Sequence, residues 1–228
     1  QSYISNDRRD YRQNTGIFKL YRMKRILILT GPQGSGNHLW SKIFALHPRV
    51  TGWQALLDTY WIGHDQEPFA EYWQHPERLG NFNWRQADFF VTSMSVPYMN
   101  NGEVTVPDFR GFVRECQRMG HRVQFAILGR DQNIVRMQQA RVREQETLPQ
   151  AMTQFRDLAA PAFLSYELLH LYREQYLTQL QRQLEWPMAI DDPRLKDILA
   201  EDTNSKYFTP VAHHATDKLA QQTSRKWK

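Results

Sequence analysis

The sequence predicts an α/β fold, a three-layer sandwich around a mainly parallel central sheet, and three observations carry that reading. Apolar runs of strand length recur at residues 25–30, 87–94, 122–128 and 162–166. They alternate with stretches of helical character, and alternating strands and helices close into a parallel sheet through right-handed crossovers. The first strand stops at a glycine-rich turn, and in such sheets ligands bind where the strands end.

Residues 25–30 run Arg-Ile-Leu-Ile-Leu-Thr, a continuous apolar stretch suited to a strand buried on both faces. Gly31-Pro32-Gln33-Gly34-Ser35-Gly36 breaks it, and a helix is expected from Asn37 to about Leu46. His47-Pro48 ends that helix, because the residue before a proline is driven out of the helical region. Residues 51–87, dense in Trp and Tyr with weak periodicity, read as short helices and loops over one edge of the sheet. A second buried strand at 87–94 is bounded by Pro97 and the Asn100-Asn101-Gly102 turn. A helix over about 107–119 ends at Gly120 and leads into the strand 122–128. Gly129-Arg130-Asp131 opens a helix over about 132–145, with Asp131 as its N-cap. After the short strand 162–166, Leu169, Tyr172, Tyr176, Leu180 and Leu184 recur three or four apart, as one helix face does.

With 228 residues and 41% hydrophobic composition the chain has material for one core, expected over 23–228 behind a polar arm at 1–22. That arm, with Asp7, Arg8, Arg9, Asp10 and Arg12, does not read as a secretory signal. Cys116 is the single cysteine, which excludes an internal disulfide and suits a cytoplasmic setting. No apolar run approaches the length of a membrane span, and the mean hydropathy is -0.68. The net charge of +5 suits an anionic ligand, but Lys and Arg are interspersed with acids, which argues against nucleic acid as partner. No metal site is expected, since the adjacent pair His213-His214 supplies too few ligands. Oligomeric state leaves no mark on the sequence.

The glycine turn is the chemical centre of the chain. With no side chains at Gly31, Gly34 and Gly36 the backbone can form a nest of N–H groups at a helix N-terminus, where the helix dipole also favours an anion. The spacing Gly31-x-x-x-x-Gly36 is that of a P-loop, so the fold is expected to be like that of the P-loop nucleoside triphosphate hydrolases. Asn37 and His38 nevertheless stand where such a loop carries Lys and a hydroxyl residue. The loop suits a phosphate better than it suits Mg²⁺-dependent hydrolysis of ATP. Its ligand-contacting set comprises Gly31, Gly34, Ser35, Gly36, Asn37, His38 and Leu39; for Ser35 and Asn37 the alternative is simple helix capping.

Three segments in order resemble the sulfotransferases that use 3′-phosphoadenosine 5′-phosphosulfate. They are Gly34-Ser35-Gly36-Asn37-His38-Leu39-Trp40 with Leu46-His47-Pro48-Arg49-Val50, then Ile127-Leu128-Gly129-Arg130-Asp131, then Leu164-Ser165-Tyr166-Glu167-Leu168-Leu169. The resemblance spans about residues 25–190 and implies sulfuryl transfer from that co-substrate to a hydroxyl or amine of a small-molecule or glycan acceptor. It also implies that Arg130 binds the 3′-phosphate, with an ion pair to Asp131 as the alternative. Gln138 stands where the family has a helix Ser, Gly34 where it has Lys or Arg, and Ser95-Val96-Pro97 and Gly52-Trp53-Gln54 where its branches place their bases. His38 is the candidate donor to the leaving phosphate oxygen, unless it only caps the helix. Asp58 and His64 are candidate bases only because they lie in the region expected to cover the site, and for each a solvated side chain is the preferred alternative. Trp40, Trp53, Trp61 and Trp73 are read as core in preference to stacking platforms, and Arg225-Lys226 as a solvated end in preference to the basic segment that the resemblance would close over the 3′-phosphate. The rival functions are a small-molecule kinase using ATP and a nucleotide-binding protein without turnover.

Overall fold

The structure, a computed structural model, describes residues 23–59, 61–100, 102–142 and 146–200. It contains a five-stranded sheet formed by β1 (Arg25–Pro32), β2 (Val50–Thr51), β3 (Phe89–Val96), β6 (Arg122–Gly129) and β7 (Ala162–Ser165). The spatial order is β2-β3-β1-β6-β7, and every pairing in this sheet is parallel. Between β3 and β6 a small antiparallel hairpin, β4 (Tyr98–Asn100) and β5 (Glu103–Thr105), closes around the expected turn.

Alternation along β1 divides the core in two. Leu27 and Leu29 face a layer built from α1 (Asn37–Ala45), α5 (Tyr166–Leu184) and α6 (Pro193–Ala200). Ile26 and Ile28 face α2 (Phe109–Arg118), α4 (Leu148–Phe155) and the 3-10 turns Ala70–Trp73 and Pro76–Asn81. All four β1 side chains are fully buried, as a central parallel strand requires. α3 (Gln132–Val142) follows β6 directly. Asp131 caps it as expected, its Oδ1 accepting from the N–H groups of Asn133 at 2.8 Å and Ile134 at 3.1 Å.

Several boundaries differ from expectation for identifiable reasons. β1 runs on through Gly31 and Pro32, which pair with Ser95 and Val96 of β3. Pro32 is tolerated there because pairing with β6 has already ended at Thr30. β3 begins at Phe89 and not at 87, and Tyr166 opens α5 instead of closing β7, because the Ser165 hydroxyl caps the helix at the Leu168 N–H. Tyr172 was expected on the buried face with Leu169 and Tyr176 but is 55% exposed. The helix breaks at Arg173 (φ 43, ψ -119), which resets the phase of the apolar stripe. The short β2, the hairpin, α4 and α6 were not expected. Residues 143–145, the arm at 1–22, His213-His214 and Arg225-Lys226 lie outside the described residues.

Candidate functional site

The carboxyl ends of β1, β3 and β6 meet at the loop 31–36. Gly31 is wedged between Ser35 and the neighbouring strand: a Cβ there would lie 2.9 Å from the Leu128 carbonyl oxygen and closer still to Ser35 Oγ. Gly34 and Gly36 adopt left-handed φ values of +90 and +103, where a side chain is strained. The curl is held from within by Ser35, whose N–H and Oγ both donate to the Pro32 carbonyl, at 3.2 and 2.7 Å. It is held from outside by α3 and Thr147. The Gln33 N–H donates to Thr147 Oγ1 at 3.1 Å, the Gln33 carbonyl accepts from Gln139 Nε2 at 2.6 Å, and the Thr147 N–H donates to Gln139 Oε1 at 2.9 Å. Both backbone polar groups of Gln33 are therefore committed to partners within the protein. The first turn of α1 begins at its end, with leading N–H groups that have no helical acceptor and a favourable field for an anion.

Side chains expected to face that anion turn inward. Asn37 Nδ2 donates to Ser93 Oγ at 2.9 Å, and Ser95 Oγ donates to Asn37 Oδ1 at 3.3 Å. With Ser35 Oγ bonded to Pro32, Ser35 and Asn37 offer an anion their backbone and not their side chains. Leu39 sits in the α1 side of the core and likewise offers only its amide. Arg130 and Gln138 do converge on the loop. Arg130 Nη1 donates to the Gly34 carbonyl at 2.9 Å and to Gln138 Oε1 at 3.3 Å. Its guanidinium carbon lies 4.5 Å from the centroid of the Tyr166 ring, and the residue is 7% exposed. A cation buried on the loop's own carbonyl is a ready counter-charge for a phosphate.

His38 and His64, named separately from the sequence, come together. Their ring centroids are 5.1 Å apart, each ring also packs on Trp53, and the Trp61 indole stacks on His38 at 6.1 Å. Trp40, Trp53 and Trp73 belong to the core, while Trp61 is 65% exposed. His38 Nε2 lies 2.9 Å from the Ile62 carbonyl. A carbonyl only accepts, so the neutral ring carries its proton on Nε2 and keeps Nδ1 as an acceptor. Burial pushes the imidazole below its ordinary value of 6.5, the Ile62 carbonyl pulls it back, and the charge of Lys42 lowers it further. A neutral ring with its donor engaged does not suit the expected role of donor to a leaving oxygen; it suits a base. Asp58 does not join the pair: it is exposed at the end of the turn Gln54–Asp58, and its charge acts on Arg194 of α6.

Glu67 was missed by sequence reasoning. It is 3% exposed, with Oε1 accepting from Thr92 Oγ1 at 2.6 Å and Oε2 from the Phe69 N–H at 2.8 Å. Burial raises its carboxyl to about 7 despite these bonds. An acid between Gln66 and Pro68 has no periodicity to betray it. Ser93, Gln139 and Thr147 were also missed; only the adjacency of Gln139 to Gln138 was a signal.

Among the described residues no cluster of His, Cys, Asp and Glu could hold a metal, and no helix is long and apolar enough to cross a membrane. Set against protein-family models, characterised proteins and solved structures, the chain has no significant match.

Proposed function

We propose that the chain is a sulfotransferase that takes a sulfuryl group from 3′-phosphoadenosine 5′-phosphosulfate to a hydroxyl or amine acceptor. The observation that carries this reading is the convergence of Arg130, from the end of β6, on the glycine loop that ends β1, with 2.9 Å between Arg130 Nη1 and the Gly34 carbonyl. The residues fit such a co-substrate: two left-handed glycines, a cradle at Gly31 that a Cβ would fill, and a buried cation at one sheet edge. The absence of the Walker Lys and hydroxyl at Asn37 and His38 weighs against ATP with Mg²⁺.

Bound there, the co-substrate supplies the sulfuryl group, whose bond to the nucleotide phosphate breaks as its bond to the acceptor oxygen or nitrogen forms. The backbone N–H groups at the start of α1 hold phosphate oxygens and stabilise the charge that builds on them. Arg130 neutralises a second phosphate. His38 takes the acceptor's proton on Nδ1 while Nε2–H stays on the Ile62 carbonyl, which orients the ring.

Calorimetry tests the ligand. Adenosine 3′,5′-bisphosphate is expected to bind more tightly than ATP or ADP, with no change on adding EDTA. Equal or stronger ATP binding, or loss on chelation, returns the kinase reading. Arg130→Ala is expected to weaken the bisphosphate by 1.5–3 kcal/mol, roughly 10- to 150-fold, the scale of a lost charged hydrogen bond. Adenosine 5′-monophosphate, which lacks the 3′-phosphate, loses far less; an equal loss for both nucleotides makes Arg130 a structural clamp on Gly34. A second reading, nucleotide binding without turnover, is favoured by Gly34 at the family's basic position. Tight bisphosphate binding with no sulfuryl transfer across an acceptor panel selects it.

A further inference from the structure

Glu67 is a buried acid with no charged partner among the described residues, and its place in the fold needs a reason. The groups facing the Glu67 carboxyl are the Thr92 hydroxyl, the Phe69 N–H, the Ser93 backbone and the Trp73 indole, and none is charged. The edge of β3 explains the arrangement. β2 pairs with β3 only at Phe89 and Phe90, and beyond them the carboxyl reaches the outer edge of β3 at Thr92 and Ser93. It ties this edge to its own segment through the Phe69 N–H.

That segment also covers His38. It contains the Ile62 carbonyl that accepts from Nε2 and the His64 ring packed edge-on against the imidazole. Between Gly63 and Ala70 it is one hydrogen-bonded unit: the Gln66 N–H bonds to the Gly63 carbonyl at 3.0 Å, the Glu67 N–H to His64 at 3.3 Å and the Ala70 N–H to Glu67 at 2.8 Å. Movement at Glu67 is thereby passed to Gly63 and His64, next to the carbonyl that holds the ring.

We infer that Glu67 is a positioning residue for His38: its carboxyl pins the 62–69 segment to β3, and the pinned segment sets the tautomer and the burial of the imidazole through the Ile62 carbonyl. The assignment goes beyond the sulfuryl-transfer reading and does not rest on it, because its signature is present in the ligand-free protein.

The test is the imidazole ¹⁵N spectrum of the full chain across a pH series, with the His38 signals identified by their absence in His38→Asn. The wild-type ring is expected as the Nε2–H tautomer, titrating below 6.5. Glu67→Met, which removes both carboxyl oxygens, and Thr92→Val, which deletes the hydroxyl alone, are each expected to raise the titration toward 6.5 and to mix the tautomers. Leu79→Ala, in the same half of the core, is the control for lost stability and leaves the His38 signals in place. Wild-type signals in folded Glu67→Met and Thr92→Val overturn the inference, and so does an equal shift in Leu79→Ala. If Glu67→Met does not fold, Thr92→Val decides.

Discussion

Replacing His38 with Ala is expected to lower turnover by about 10²–10³-fold, within the range removed when a positioned base is lost. The expectation follows from the direction of one hydrogen bond. Because Nε2–H is given to the Ile62 carbonyl, the neutral ring presents a lone pair on Nδ1, and burial together with the charge of Lys42 keeps the ring neutral near pH 7. Affinity for adenosine 3′,5′-bisphosphate should change little, since the ring's hydrogen bond goes to the covering segment and not to the loop. His38→Asn separates the two roles of the ring: its amide can still donate to Ile62 but takes no proton, so it should be as slow as His38→Ala. The wild-type rate should fall on the acid side only below the ordinary imidazole value of 6.5. Near-normal turnover in a folded His38→Ala, with an unchanged melting temperature, would return the residue to a packing role.

Glu67 should make the protein less stable as pH rises, the reverse of the usual carboxylate. Its value moves from 4.5 to about 7 on folding. Between those limits the folded chain binds more protons than the unfolded one. The stabilisation is complete below the lower limit and lost as pH passes the upper one, a swing of about 3 kcal/mol. A neutral carboxyl suits this site because the Thr92 hydroxyl, 2.6 Å away, can accept its proton as readily as donate its own. Urea unfolding at about pH 5 and about pH 8, compared between wild type and Glu67→Gln, reads the difference, since other groups titrate alike in both. The same pH dependence in the two proteins would show that Glu67 does not change its protonation on folding.

The strands were legible because a central parallel strand must be apolar on both faces, and Ile26 to Leu29 can hardly be anything else. The loop was legible because Gly34 and Gly36 stand where the backbone turns left-handed. What escaped depends on partners distant in the chain. β2 is a strand only because Val50 and Thr51 lie against Phe89 and Phe90, and two residues carry no period. Pro32 reads as a breaker until its neighbours are known. Ser35 lies in the loop and Asn37 and His38 open α1 as expected, but their side-chain directions are set by Pro32, Ser93 and Ile62, which no local pattern announces. Asp58 and His64 looked equivalent in sequence, and only packing on Trp53 and His38 distinguishes them.

The parallel sheet has a consequence for how the chain acquires its shape. β1 is its centre and the first in sequence of its five described strands, yet neither of its neighbours is near in sequence. Thr30 bonds to Met94, 64 residues on, and the β6 side begins 97 residues on, where Lys24 meets His121. No hairpin joins any two strands of this sheet, so every pairing pays a long loop closure before it is rewarded. Until β3 is made, β1 is an apolar ribbon with both edges open, and its second edge stays open until β6 arrives. Nascent chains halted before Gly129 should consequently engage chaperones, whereas release of the whole sheet allows a single late collapse around Leu27 and Ile28.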